Sequence, residues 1–165
     1  MGQQKLYTAE LINYLQSLMW TNLQDDLSLK ACQIGDISYY NEPEPLSALV
    51  PAIFIRPSGG VQVGIRTMNF KYTMTYRFRA VYVFKYLESD PVVENKMSKI
   101  NLIADLIFDN PQLVGISTTP NIKIVHCIPH TIEYEPPEDG FLVGLGGQMT
   151  AGAINIEILT GTNIA

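Results

Sequence analysis

Two histidines and a cysteine lie close together in the sequence, at His126, Cys127 and His130. Imidazole nitrogen and thiolate sulfur are the ligands that zinc prefers. A tetrahedral site needs a fourth ligand, which Cys32 or a carboxylate would have to supply, and Pro129 interrupts the cluster. The alternative is that these are strand and turn residues with hydrogen-bonded imidazoles. We favour this alternative and expect no metal site.

The sequence gives even less support to other possible catalytic arrangements. A hydrolytic triad needs a nucleophile beside an oriented histidine, and the sequence contains two histidines and no G-x-S-x-G motif. Glu133 and Glu135 would share one face of a strand about 7 Å apart, which is compatible with glycosidase chemistry. Alternating glutamates are, however, common on exposed strands. The glycines at 144, 146 and 147 lack the dinucleotide-binding pattern and favour a flexible loop or a tight turn. We therefore expect no enzyme, no catalytic residues and no cofactor.

The composition excludes several classes of protein. The chain has 165 residues, of which 47% are hydrophobic and 16% are charged, as in one packed domain. Its formal net charge of −5 argues against a protein that coats duplex nucleic acid. The longest nearly unbroken apolar run, residues 48–55, is too short to span a membrane. Cys32 and Cys127 are too few for a disulfide scaffold and are typical of free thiols in a reducing cytoplasm.

Hydrophobic spacing predicts two main helices. The first runs from Thr8 to Leu23, with Thr8 as its N-cap. The second has Asp90 as its N-cap and Pro91 at its first position, and it ends before Asn110–Pro111. The prolines in residues 41–45 and the acidic residues 135–140 predict irregular structure. Strands are expected at residues 51–57, 61–66, 70–86, 122–134 and about 149–159.

One predicted strand is unusually long. Every even-numbered residue from Phe70 to Tyr86 is apolar, and the odd positions include Arg77 and Arg79. Period-two alternation predicts that the aromatic residues pack beneath a helix while the arginines point the other way. At about 3.4 Å per residue the strand exceeds ~50 Å, so we expect part of it to protrude or to pair with another subunit. The predicted fold class is α+β: a mostly antiparallel sheet with a long hairpin, flanked by an N-terminal helix and a central helix.

Charge is segregated along the chain. Between Glu44 and Glu88 there are six basic residues and no acidic one, whereas the rest of the sequence has five basic and sixteen acidic residues. We expect the basic surface of one copy to meet the acidic loop of the next. Two leucines that lie off the central helix's apolar stripe should also be covered by another element or subunit. The candidate subunit-interface residues are Arg66, Lys71, Arg77, Arg79, Lys85, Leu102, Leu106, Glu135, Glu138 and Asp139.

The elements follow one another in a distinctive order: an N-terminal helix, the proline-bounded strand Val50–Pro57, a long hairpin, a central helix opened by Asp90–Pro91, and closing strands. Over nearly the whole chain this order resembles the tail terminator, or tail completion, proteins of long-tailed bacteriophages. The resemblance implies a single domain over residues 1–165 and a structural protein without catalytic residues. It implies a homo-oligomeric ring, six-fold in this family, that caps the tail tube, stops its polymerisation and offers a surface for joining the head.

The resemblance also implies partners and a location. The partners are further copies of the chain, the tail tube protein and the head connector or stopper protein, with DNA only as passing cargo and no membrane. The location is the tail of the virion, after assembly in the host cytoplasm. Two alternatives stay open. One is another connector, neck or tube subunit of the same kind of virus. The other, with less support, is a single-stranded nucleic-acid-binding module that stacks bases on the tyrosines of the long strand.

Overall fold

A six-stranded sheet is the centre of the fold. The computed structural model describes residues 6–64, 70–87, 89–113, 122–146 and 148–163. Its helices are α1 (Thr8–Leu23), α2 (Pro43–Leu49), α3 (Val92–Phe108) and α4 (Pro137–Gly144). Its strands are β1 (Ala31–Ile34), β2 (Ala52–Pro57), β3 (Gln62–Gly64), β4 (Phe70–Lys85), β5 (Ile122–Glu133) and β6 (Met149–Asn163). The sheet order is β1-β2-β4-β6-β5, with β3 also paired to β4, and only β1 and β2 are parallel. The predicted α+β class is therefore confirmed.

The helices α1 and α3 cover one face of this sheet. Tyr76, Phe78, Tyr82 and Phe84 are buried on that face in the main hydrophobic core, which both helices share. The predicted alternation of β4 is therefore confirmed. The helix α3 lies close to the sheet at Gly152, where an added Cβ would be 2.4 Å from the side chain of Ile100. A glycine in β6 thus allows α3 to lie close to the sheet.

Both predicted N-cap residues are wrong by one position. Tyr7, and not Thr8, occupies the N-cap position of α1, and its backbone N–H donates to the hydroxyl of Tyr76 at 3.1 Å. Pro91 occupies the N-cap position of α3. The carboxylate of Asp90 instead accepts a hydrogen bond from the backbone N–H of Leu87 at 2.7 Å, which stabilises the turn before the helix.

The strand β4 has strand partners on both sides within the chain. The strand β6 is almost as long and pairs with β4 from Phe70 to Lys85. On its other side, β4 pairs with β2 and with β3, the latter being the expected hairpin partner. The strand β4 therefore finds a full-length partner within its own chain, because the closing strand extends to Asn163, beyond its predicted end near residue 159. That part of β4 protrudes or pairs with another subunit stays a prediction.

Two segments expected to be irregular are helices. The prolines at 43 and 45 begin α2, and Pro137 begins α4. Prolines are tolerated in the first turn of a helix, because the N–H groups there have no partner within the helix. Both helices cover part of the second face of the sheet, where Leu46 and Leu142 join Phe54, Val81 and Val83 in a second buried cluster.

Candidate functional site

The second face of the sheet is divided into a covered half and an open half. The odd-numbered residues of β4 point to this face, and Val81 and Val83 lie in the covered half. The open half continues beyond α4 along β4, β6 and β5. We call it the open sheet face, and its principal side chains are Arg56, Arg77, His126, Ile128, His130 and Glu157. It contains a depression of about 480 Å³ whose lining includes Arg56, Arg77 and His130.

Glu157 lies at the centre of the open sheet face. Its Oε2 is 3.8 Å from a guanidinium nitrogen of Arg77, its direct neighbour across the β4–β6 pair. The Nε2 atoms of His126 and His130 lie 3.6 and 3.8 Å from its carboxylate oxygens. The Nε2 atom of His126 is buried and has no hydrogen-bond partner among the described residues. One guanidinium and two imidazoles therefore surround one carboxylate at distances of 3.6–3.8 Å.

Arg79, two residues from Arg77, is in a different environment. Its side chain is 9% exposed, against 50% for Arg77. It donates to both carboxylate oxygens of Glu138, at 2.7 and 2.8 Å, to the side-chain oxygen of Asn155 at 3.0 Å, and to Glu133. Hydrogen bonds from Arg79 to Glu138, and to Glu133, raise the pKa of Arg79 although burial opposes this. Burial raises the pKa of Glu138, but the guanidinium outweighs it and the pKa is lowered.

A second buried ion pair holds α4, the helix that also carries Glu138. The Nζ of Lys96 in α3 donates to Asp139 at 2.8 Å, and Lys96 is only 6% exposed. The other oxygen of Asp139 accepts from the hydroxyl of Thr150 at 2.9 Å and from the backbone N–H of Ala151 at 2.6 Å. The first turn of α4 is therefore fixed to β4, β5, β6 and α3. We call the side chains Arg79, Glu133, Glu138, Lys96 and Asp139 the α4 anchor.

The α4 anchor corrects the expected pairing of charge between copies. Arg79, Glu138 and Asp139 were expected to meet their partners only in a neighbouring subunit. They are bound within one subunit, because the acidic segment folds as α4 over the basic strand. The exposed residues Glu135 and Arg77 keep their place among the candidate interface residues.

The other candidate interface residues have varied environments. Arg66 and the side chain of Lys71 lie outside the described residues. Lys85 is exposed at the far end of β4, beside a cavity of about 660 Å³. Leu106 is half-buried against the main core, so its own subunit covers it in part. Leu102 is 39% exposed, and its predicted cover by another subunit stays a prediction.

The structure places the candidate zinc ligands His126, Cys127 and His130 on different faces of the sheet. Cys127 is fully buried in the main core, and burial raises the pKa of its thiol to about 12, whereas the two histidines face Glu157 on the other side of the sheet. Throughout the described ranges, no group of three histidine, cysteine, aspartate or glutamate side chains has the arrangement of a metal site. Glu133, one of the two possible glycosidase carboxylates, is bound by Arg79 and by the amide of Asn155.

The glycine-rich segment is a turn, as predicted. Gly144 ends α4, and Gly146 adopts a φ of +74°, a conformation that favours glycine. Gly147 lies outside the described residues. Sequence reasoning missed Glu157 as the central acid of the open sheet face. A signal was present, since Glu157 alternates with Ile156 and Ile158 in a predicted strand, but nothing local indicated that it lies opposite Arg77.

Comparison of the chain with protein-family models and with curated proteins finds no match. Among the described residues, no helix has the length and apolar character needed to cross a membrane.

Proposed function

We propose that this chain is a structural protein of a long-tailed bacteriophage, which assembles with copies of itself into a ring that caps the tail tube, ends its polymerisation and provides a surface for joining the head. The observation that carries the proposal is the order of elements. Helix α1, the proline-bounded strand β2, the β3–β4 hairpin, helix α3 and the closing strands β5 and β6 follow the order on which the resemblance to tail terminator proteins rests.

The distribution of side chains is compatible with an assembly role. The α4 anchor uses its charges within the subunit, whereas Arg77 and His130 of the open sheet face remain accessible. Large apolar residues such as Tyr39, Val93 and Phe108 are exposed on other surfaces. A subunit with several unlike exposed surfaces is suited to a head-to-tail contact, which closes into a ring when the rotation between copies permits it.

A connector, neck or tube subunit of the same kind of virus is the nearest alternative, since it would use the same kind of contacts. The single-stranded nucleic-acid alternative has less support. Tyr76 and Tyr82 of β4, which would have stacked on bases, are buried beneath the helices.

Negative-stain electron microscopy of the purified chain, together with its mass from light scattering, tests the proposal. Closed rings of uniform diameter are the expected result. Rings should also shorten the tubes formed by a tail tube protein when the two proteins are mixed. Long tubes of the chain alone would favour the tube-subunit alternative, and a monomer at every concentration would contradict an assembly role.

A further inference from the structure

The outward side of α3 carries negative charge and exposed apolar side chains. Ile100, Ile103, Ala104 and Ile107 face the core, and the opposite side is exposed. We call this side the outer face of α3, and it consists of Glu94, Leu102, Asp105, Phe108 and Asp109. Leu102 is 39% and Phe108 is 56% exposed. The two lysines near the middle of α3 lie elsewhere: Lys96 is buried against Asp139, and Lys99 lies over the ring of Phe84.

The charge at the end of α3 is unfavourable in an isolated subunit. Asp105 is in the last turn, Asp109 is the C-cap residue, and the last turn contains no basic residue. The carboxyl end of a helix carries a partial negative charge, so two carboxylates there repel the helix dipole as well as each other. A cationic surface placed against this end would relieve both effects.

The open sheet face offers such a surface. It presents Arg77, His126 and His130 together with Ile128, which is 37% exposed, and no helix of the described chain covers it. An antiparallel sheet can leave one face to water, so this half of the sheet is accessible to a partner. Arg77 is 50% exposed and lies 3.8 Å from the central acid, Glu157, so its guanidinium can donate to a further carboxylate.

We propose that the outer face of α3 of one copy docks on the open sheet face of the next copy. Asp105 and Asp109 then approach Arg77 and the histidines, and Phe108 and Leu102 approach Ile128. This inference rests on the proposed self-assembly and names its interface.

The partner is a second copy because the two surfaces are complementary and lie on opposite sides of the same sheet. The helix α3 covers the face that holds Tyr82, whereas Arg77 points to the other face. The surfaces therefore cannot meet within one subunit. Their contact between copies is head-to-tail and repeats from copy to copy, as a ring or filament requires.

Sedimentation velocity across a concentration series tests this interface with two charge reversals. Arg77→Glu changes the sheet side, and Asp105→Arg with Asp109→Arg changes the helix side. Each should raise the concentration needed for half-assembly by about tenfold or more, because like charges then face each other across the contact. The helix-side reversal improves the charge at the end of α3, so a loss of assembly cannot be attributed to a weakened helix.

An equimolar mixture of the two variants supplies the decisive measurement. Each open sheet face in the mixture can meet an outer α3 face of opposite charge, so assembly should return to within about threefold of the wild-type concentration. Asp25→Arg with Asp26→Arg, which makes the same charge change at two exposed positions after α1, is the matched control and should leave assembly unchanged.

The outcomes separate this interface from self-assembly itself. An assembled wild type whose mass is insensitive to both reversals would overturn the interface and leave the proposed assembly standing. Failure of the mixture to recover would also overturn the interface. A wild type that stays monomeric at all concentrations would overturn both proposals. Binding of a fluorescent single-stranded oligonucleotide that Arg77→Glu abolishes, with an unchanged assembly mass, would assign the open sheet face to nucleic acid and overturn the docking.

Discussion

Arg77 and Arg79 are two residues apart on the same face of β4, yet they belong to different regions of the molecule. Arg79 is covered by α4 and is bound by two glutamates and an asparagine, whereas Arg77 lies beyond α4 and has one distant carboxylate. The residue type and the strand are the same in both cases. The difference is that α4, which follows much later in the sequence, lies over Arg79 and not over Arg77.

Burial changes what each charge contributes. A buried guanidinium loses its hydration, and only good hydrogen bonds to charged acceptors offset this loss. Arg79 has such bonds to Glu138 and Glu133. Arg77 keeps much of its hydration, so its ion pair with Glu157 contributes little to folding and remains accessible to a partner. The α4 anchor therefore stabilises the fold, and the open sheet face is available for binding.

The largest expected effect comes from breaking the anchor at Arg79. Arg79→Met leaves Glu138 and Glu133 without their partner and should lower the free energy of unfolding by about 3–5 kcal/mol. Arg77→Met is the matched control and should lower it by at most about 1 kcal/mol. Urea unfolding monitored by circular dichroism measures both. Equal losses for the two variants would show that the contrast in burial has no energetic consequence.

The second expected effect is that Asp139 contributes more to stability than its partner Lys96. Asp139→Ala removes acceptors for three donors and leaves Lys96 buried without its partner, so it should destabilise the fold by about 3 kcal/mol. Lys96→Met keeps the apolar stem and leaves Asp139 bonded to Thr150 and Ala151, so the loss should be about 1 kcal/mol or less. Thermal unfolding of the two variants checks the order. A larger loss for Lys96→Met would contradict it.

Much of this fold was predictable because it depends on local patterns. The alternation along residues 70–86 identified β4 and the face on which Tyr76 and Phe78 lie. Helical spacing gave α1 its correct bounds and α3 within about one turn. The strand β1 was missed, since four residues carry too little pattern and its partner β2 runs parallel and lies far along the chain.

The candidate site was less predictable because it depends on contacts between distant segments. Arg79 and Glu138 are 59 positions apart, and the segment that carries Glu138 was expected to be a loop and not a helix. Alternation correctly predicted that Arg77 and Arg79 share a face. It could not predict that α4 would cover one of them and leave the other open, because that depends on where a later helix lies.

The pH dependence of stability provides a smaller test of the anchor. Because the pKa of Glu138 is lowered in the folded state, the unfolded chain binds more protons in acid. The stabilisation by Glu138 is therefore complete above its ordinary pKa of 4.5 and is lost as the pH falls through its folded pKa. The stability gap between wild type and Glu138→Gln should be largest at neutral pH and shrink below pH 4.5. A gap that does not change with pH would contradict this coupling.

The smallest expected effect on stability comes from Glu157 on the open sheet face. Its dependence on salt distinguishes it from the effect of breaking the α4 anchor. Glu157→Gln removes the carboxylate opposite Arg77 and should lower the free energy of unfolding by only about 0.2–1 kcal/mol at low salt. The Debye length falls from about 10 Å at 0.1 M salt to about 3 Å at 1 M, so this difference should vanish in 1 M sodium chloride. The loss caused by Arg79→Met should persist there, because its charges are largely removed from solvent and salt screens them poorly. Urea unfolding of both variants at the two salt concentrations makes the comparison. If Glu157→Gln still lowers the free energy of unfolding in 1 M sodium chloride, the carboxylate of Glu157 stabilises the fold in the same way as the α4 anchor. The proposed difference between the α4 anchor and the open sheet face would then be wrong.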